Sequence, residues 1–172
     1  MERNIKMKKA LLVVDMQEVC VGENHAEFFQ YGDSLMPAVN DVIDKNKDNI
    51  IVYIRNIMKK GMINKFAPFQ AYEGTKEIEL EEHLHVISEN IFDKYKADAF
   101  SNEKLDEFLK ANNVDEVEII GVDGGGCVVL TALGASKAGY KVIVNTKAVG
   151  TMFKEKEKKF RNKLIGRGVK FV

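Results

Sequence analysis

Cys127 follows three consecutive glycines, Gly124-Gly125-Gly126, and opens an apolar segment, residues 128–138, that reads as a helix closed by Gly139. A thiol at a helix N-terminus feels the positive end of the backbone dipole, which favours the thiolate. Glycines leave no side chains around it, so backbone N–H groups can approach a bound carbonyl oxygen. A nucleophile beside such donors is the equipment of acyl transfer. The competing reading is a small buried hydrophobe in a strand–glycine–helix turn, common in α/β folds. A base and a cation at neighbouring strand ends decide between them.

Asp15 is the candidate base. It stands straight after the apolar run Leu11-Leu12-Val13-Val14. In a parallel sheet the ligand site lies beyond the carboxyl ends of the strands, so Asp15 and the turn at 121–127 share one edge. Taken alone, Asp15 also fits an N-cap or turn aspartate.

The elements that must carry these residues are legible as alternating patterns. Strand-length apolar runs occur at residues 10–14, 50–54, 117–122, 141–144 and 169–172, with a short, weak one at Val86-Ile87. Helical patterns cover residues 35–47, 104–112, 128–138 and 154–165. Runs this apolar suit strands covered on both faces, and the alternation predicts a three-layer α/β/α domain with a parallel sheet. At 172 residues, the chain (1–172) is expected to form a single domain. Residues 56–82 lack periodicity, which fits an active-site lid or a surface excursion with its own apolar cluster.

Composition narrows the function. Lys and Arg total 26 against 26 Asp and Glu, so no basic field invites nucleic acid or an anionic membrane. No apolar run approaches a membrane span, and the basic N-terminus leads into too short an apolar stretch for a signal peptide. The two cysteines, Cys20 and Cys127, form no disulfide framework. A cytoplasmic location is expected. The glycines do not complete a dinucleotide motif, because Val129 stands where the last glycine belongs.

Three motifs in order carry a family resemblance. Val13-Val14-Asp15-Met16-Gln17, Lys94 through Phe100, and Gly121-Val122-Asp123-Gly124-Gly125-Gly126-Cys127-Val128 resemble the motifs of the isochorismatase-like cysteine hydrolases. The resemblance implies a six-stranded parallel sheet in the order 3-2-1-4-5-6 with helices on both faces. It also implies a triad of Asp15 (general base and acid), Lys94 (thiolate stabiliser) and Cys127 (nucleophile), and a cis peptide at Val122–Asp123. Its activity is hydrolysis of a C–N bond in a small amide or carbamoyl compound through a thioester. The partners implied are a small-molecule substrate and further copies of the chain in a homo-oligomer.

The N–H groups of Gly126 and Cys127 are the expected oxyanion donors. Gln17, Arg55, Phe66, Phe69 and Tyr72 are weaker candidates for substrate contact, while Lys96 reads as a surface lysine. Nicotinamidases of the family carry an Asp-x-His metal motif after the second strand, where this chain reads Arg55-Asn56-Ile57-Met58. His83 and His85 could share one face of a strand, but two histidines do not make a site, and His25 is alone. No metal and no cofactor are expected. The alternatives are a silent or regulatory homologue that binds a metabolite, and a redox-sensing thiol protein with Cys20 as resolving partner.

Overall fold

The computed structural model describes residues 7–172; the start of the basic N-terminal stretch, residues 1–6, lies outside them. Six strands form one sheet in the order β3-β2-β1-β4-β5-β6. They are β1 (Lys9–Val14), β2 (Ile50–Asn56), β3 (Ile91–Lys94), β4 (Glu116–Val122), β5 (Lys141–Gly150) and β6 (Lys170–Phe171). Every pairing is parallel. The helices are α1 (Glu18–Val21), α2 (Leu35–Lys45), α3 (Glu103–Ala111), α4 (Cys127–Lys137) and α5 (Lys154–Gly166).

Strand β1 is central, and its alternating side chains feed two cores. Leu12 and Val14 pack with Leu105 and Leu109 of α3, Val128 and Ala132 of α4, and Leu164 of α5. Leu11 and Val13 pack on the other face with Val39 and Ile43 of α2 and Val19 of α1. Leu11 and Leu12 are both fully buried, each contributing about 2 kcal/mol of transfer free energy. The sheet is therefore covered on both faces, and only its strand ends are open to chemistry.

The third strand differs from expectation. Val86 and Ile87 belong to no strand and are about half exposed, and β3 begins later, at Ile91. It pairs only with β2, so it is an edge strand and needs no fully apolar sequence. Strand β5 runs on to Gly150, because a register shift between Ile119 and Gly121 lets Val149 and Gly150 pair again with β4. Residues 57–90 carry two short 3-10 turns, Asn64–Phe66 and Lys76–Ile78, and otherwise irregular backbone.

Candidate active site

Asp15 leaves β1 with φ of 54°, a left-handed conformation that aspartate tolerates better than most residues. Its N–H still donates to Ile54 O at 3.0 Å, so the chain turns out of the sheet while anchored to β2. Beside it, β4 presses against β1 at Gly121, which has φ of 112°. A Cβ there would lie 2.1 Å from Val14 O, which only glycine avoids. One residue on, the Val122–Asp123 peptide bond is cis as anticipated.

Lys94 ends β3 and crosses beneath β2 and β1 to reach this edge. Its ammonium donates to Asp15 Oδ2 at 3.0 Å, Asn56 Oδ1 at 3.1 Å and Cys127 Sγ at 3.2 Å. An ammonium has three protons, and all three are used. The lysine is 1% exposed and Asp15 4%, so the pair is withdrawn from water. The segment after Lys94 is fixed to α4, where Ala99 N–H donates to Thr131 Oγ1 at 3.1 Å. The segment after β3 and α4 are thereby tied together.

The three residues brought together from distant sequence are thus Asp15, Lys94 and Cys127. Asn56 joins them unannounced; a polar residue at a strand end was the only signal available for it. Asp15 Oδ1 is buried with no hydrogen-bond partner among the described residues. It offers an open acceptor beside the sulfur.

Charge state follows from surroundings. Burial, and after it Asp15, push the Cys127 thiol up to about 12 against the opposing pull of Lys94. The dipole of α4 was expected to lower it, but desolvation dominates. Burial works to lower the Lys94 pKa, but Asp15 and Cys127 more than reverse this and hold the ammonium charged. With Lys94 ion-paired to Asp15 at 3.0 Å and the thiol neutral, the resting site carries no net charge.

The turn itself revises the expected donors. Gly126 N–H is not free: it donates to Asp123 O at 3.0 Å, closing the turn. Cys127 N–H and Asp123 N–H have no acceptor among the described residues.

The weaker candidates mostly serve structure. Gln17 is fully buried and clamps three segments, donating to Asn56 O at 3.1 Å and Ile78 O at 3.0 Å. It also accepts from Asn56 N–H at 2.7 Å, so it positions Asn56 and cannot meet substrate. Arg55 forks onto Asp93 at 2.7 and 3.0 Å and approaches Glu79 at 3.5 Å, so its charge is already spent. Phe66 is 82% exposed. Tyr72 is half-buried and bridges to Met58.

Phe69 is different, because it packs at a tilt against Phe28 and Phe29, at centroid distances of 5.7 and 4.7 Å. Phe28 also reaches Phe153 at 6.0 Å, and Phe153 O is the atom a Cβ on Gly125 would strike, at 2.2 Å. The aromatic group therefore abuts the glycine turn before Cys127 through Phe28 and Phe153, which lie far apart in sequence. Lys96 is exposed. Cys20 is 7% exposed and lines a separate cavity of about 740 Å³ with Tyr31 and His83. Burial raises its pKa well above the ordinary thiol value.

His83 and His85 do not share a strand face. They lie in a loop and bond different carboxylates, Glu81 at 2.8 Å and Asp44 at 2.9 Å, while His25 Nδ1 faces Ala26 O.

Comparison with known proteins bears on this arrangement. A family model described as the isochorismatase domain matches residues 9–171. No curated protein matches the chain. Among solved structures, a pyrazinamidase of Pyrococcus horikoshii in complex with zinc is similar at 31% identity and a TM-score of 0.78. The match covers 96% of this chain and 98% of that one. An isochorismatase-like hydrolase from Alkaliphilus metalliredigens is similar at 25% identity and TM-score 0.81, covering 96% and 94%. A pyrazinamidase/nicotinamidase from Streptococcus mutans matches at 25% and 0.83, covering 96% and 100%.

Zinc does not fit the present residues. Asn56 is committed to Lys94 and Arg55 to Asp93, and among the described residues no three His, Cys, Asp or Glu side chains converge as a cage. The family match over nearly the whole described chain, on a sheet of the order expected, settles the assignment: the chain belongs to the isochorismatase family of hydrolases.

Proposed function

We propose that the protein is a cysteine hydrolase that cleaves a C–N bond of a small amide or carbamoyl compound through a thioester on Cys127. The observation that carries this reading is one ammonium holding a carboxylate and a sulfur within 3.2 Å. With Asp15 charged and Cys127 neutral, the buried group has no net charge. Moving the proton from sulfur to Asp15 leaves it with none. Nucleophile formation by this internal transfer therefore avoids the desolvation cost that a proton lost to solvent would incur.

The thiolate, stabilised by Lys94, attacks the carbonyl carbon. The N–H groups of Cys127 and Asp123, both without acceptors, receive the oxyanion. Protonated Asp15 then gives its proton to the leaving amine, the C–N bond breaks and a thioester remains. Water, deprotonated by Asp15, cleaves the thioester and regenerates the thiol. Lys94 gives up no proton in this cycle, because Asp15 and Cys127 raise its pKa and hold the ammonium charged.

The names of relatives, pyrazinamidase and nicotinamidase, support an amide substrate. The ring-bearing substrate those names denote is not carried over, because the zinc ligands do not fit here. The test is ammonia release from a panel of small amides and carbamoyl compounds, with the acyl-enzyme read by intact mass. Cys127→Ala is expected to fold and to abolish turnover. Turnover retained in that variant would sink the mechanism.

A further inference from the structure

Asp123 accepts hydrogen bonds from both its main chain and its side chain. Its carbonyl takes the N–H groups of Gly126 at 3.0 Å and Val128 at 3.1 Å. Its carboxylate takes Gly125 N–H at 2.8 Å, Met152 N–H at 2.6 Å, Phe153 N–H at 3.5 Å and the Tyr31 hydroxyl at 3.1 Å. Gly124 N–H goes to Gly150 O at 2.8 Å. From residue 124 to 128, Cys127 is then the one residue whose N–H lacks an acceptor among the described residues.

The carboxylate is buried, 8% exposed, and all four of its donors are neutral. A buried anion without a cation is a costly way to close a turn; Asn or Ser closes turns without a charge. What the anion adds is acceptor capacity on both oxygens at once. With it, one side chain ties the end of β4 to the backbone entering α5 and to Tyr31, in the loop before α2.

We propose that Asp123 is a positioning residue for the hydrolysis. It takes up the N–H groups of Gly125, Gly126 and Val128, which dedicates the N–H of Cys127, with its own, to the oxyanion. The inference rests on the cysteine-hydrolase reading above. It adds the residue that shapes the oxyanion hole of this turn. Tyr31 acts through Asp123 and is the more peripheral of the two.

Two reagents separate this role from simple folding support. Acylation of Cys127 by p-nitrophenyl acetate passes through an oxyanion; alkylation by iodoacetamide does not. Both are read on Cys127 by mass spectrometry in wild type, Asp123→Ala, Asp123→Asn and Tyr31→Phe. Removing one oxyanion donor costs about 10²–10³-fold in rate, and misaligning donors that remain should cost less. Asp123→Ala is therefore expected to acylate roughly 10–100-fold more slowly while alkylation stays within about threefold. Asp123→Asn should lie between it and wild type, and Tyr31→Phe should show a smaller loss of the same sign.

Parallel changes in both reactions, or none in acylation, would overturn the inference. If Asp123→Ala does not fold, Asp123→Asn and Tyr31→Phe carry the same ratio test. A wild-type Cys127 that alkylates but never acylates would overturn the hydrolase reading instead, so the two failures are distinguishable.

Discussion

In the Asp15→Asn variant the side chain keeps its shape but loses its charge and its basicity. Asp15 Oδ2 and Cys127 Sγ both bond the Lys94 ammonium, at 3.0 and 3.2 Å, so they lie no further apart than the sum of those distances, about 6 Å. At that separation and an effective dielectric of about 20, like charges repel by roughly 3 kcal/mol, or about 2 pH units. Removing the carboxylate charge leaves burial alone to oppose Lys94 at the sulfur. The thiol pKa should fall by about that amount from its raised value of about 12.

Iodoacetamide alkylation of Cys127 at pH 7.5 should then rise roughly 100-fold in the variant, with buried Cys20 as internal control. Hydrolysis should move the opposite way, falling by about 10²–10⁴-fold, because the base and acid are gone. The assay is alkylation followed by mass spectrometry from pH 6 to 11, alongside ammonia release. Alkylation that slows or stays constant in Asp15→Asn would refute the charge reasoning, since the carboxylate would then be assisting the resting thiolate.

Two further outcomes follow from the same site. The raised Cys127 pKa means the fold prefers the neutral thiol, so this contribution is complete below about pH 9 and is lost as pH rises toward 12. At pH 10.5 the loss is about 2 kcal/mol in wild type and absent in Cys127→Ala; urea melts of both at pH 8 and 10.5 should show the gap narrowing. Gly121→Ala sets a Cβ against Val14 O at φ of 112°, where neither strand can yield. It should lose about 3 kcal/mol or more, a fall of roughly 10 °C in Tm that a thermal melt would read.

Residues whose chemistry coincides with punctuation in the pattern were legible from sequence. Asp15 and Cys127 interrupt apolar runs at strand and helix ends, and Lys94 was found through its spacing to Phe100 in a recognised motif. Strand β3 was displaced by several residues because apolarity was the wrong signal for it. Ile91-Phe92-Asp93-Lys94 spends Asp93 on Arg55 and Lys94 on the site, whereas Val86 and Ile87 are apolar yet half exposed.

The partners of Gln17 and Arg55 were illegible for a related reason. Polar residues after strands can face a pocket or tie strand ends together, and only the partners distinguish the two. Those partners, Ile78 for one and Asp93 for the other, lie 61 and 38 residues away. That Gly126 N–H is taken while Asp123 N–H is left without an acceptor among the described residues depends on which N–H groups the turn consumes. No property of a glycine run reports that.

The three bonds of Lys94 limit what evolution or design can place at that position. A tetrahedral ammonium can aim one proton at each of three acceptors spread around it, here two oxygens and a sulfur. Guanidinium is flat, and its donors lie in a single plane. Arginine at this position would keep the charge while losing the spatial match, and its bulk has no room where Lys94 itself is only 1% exposed. The usual conservative exchange of one base for another is thus closed here. Change in this enzyme has freer ground in the aromatic group beside the turn, where one ring can replace another without disturbing a proton.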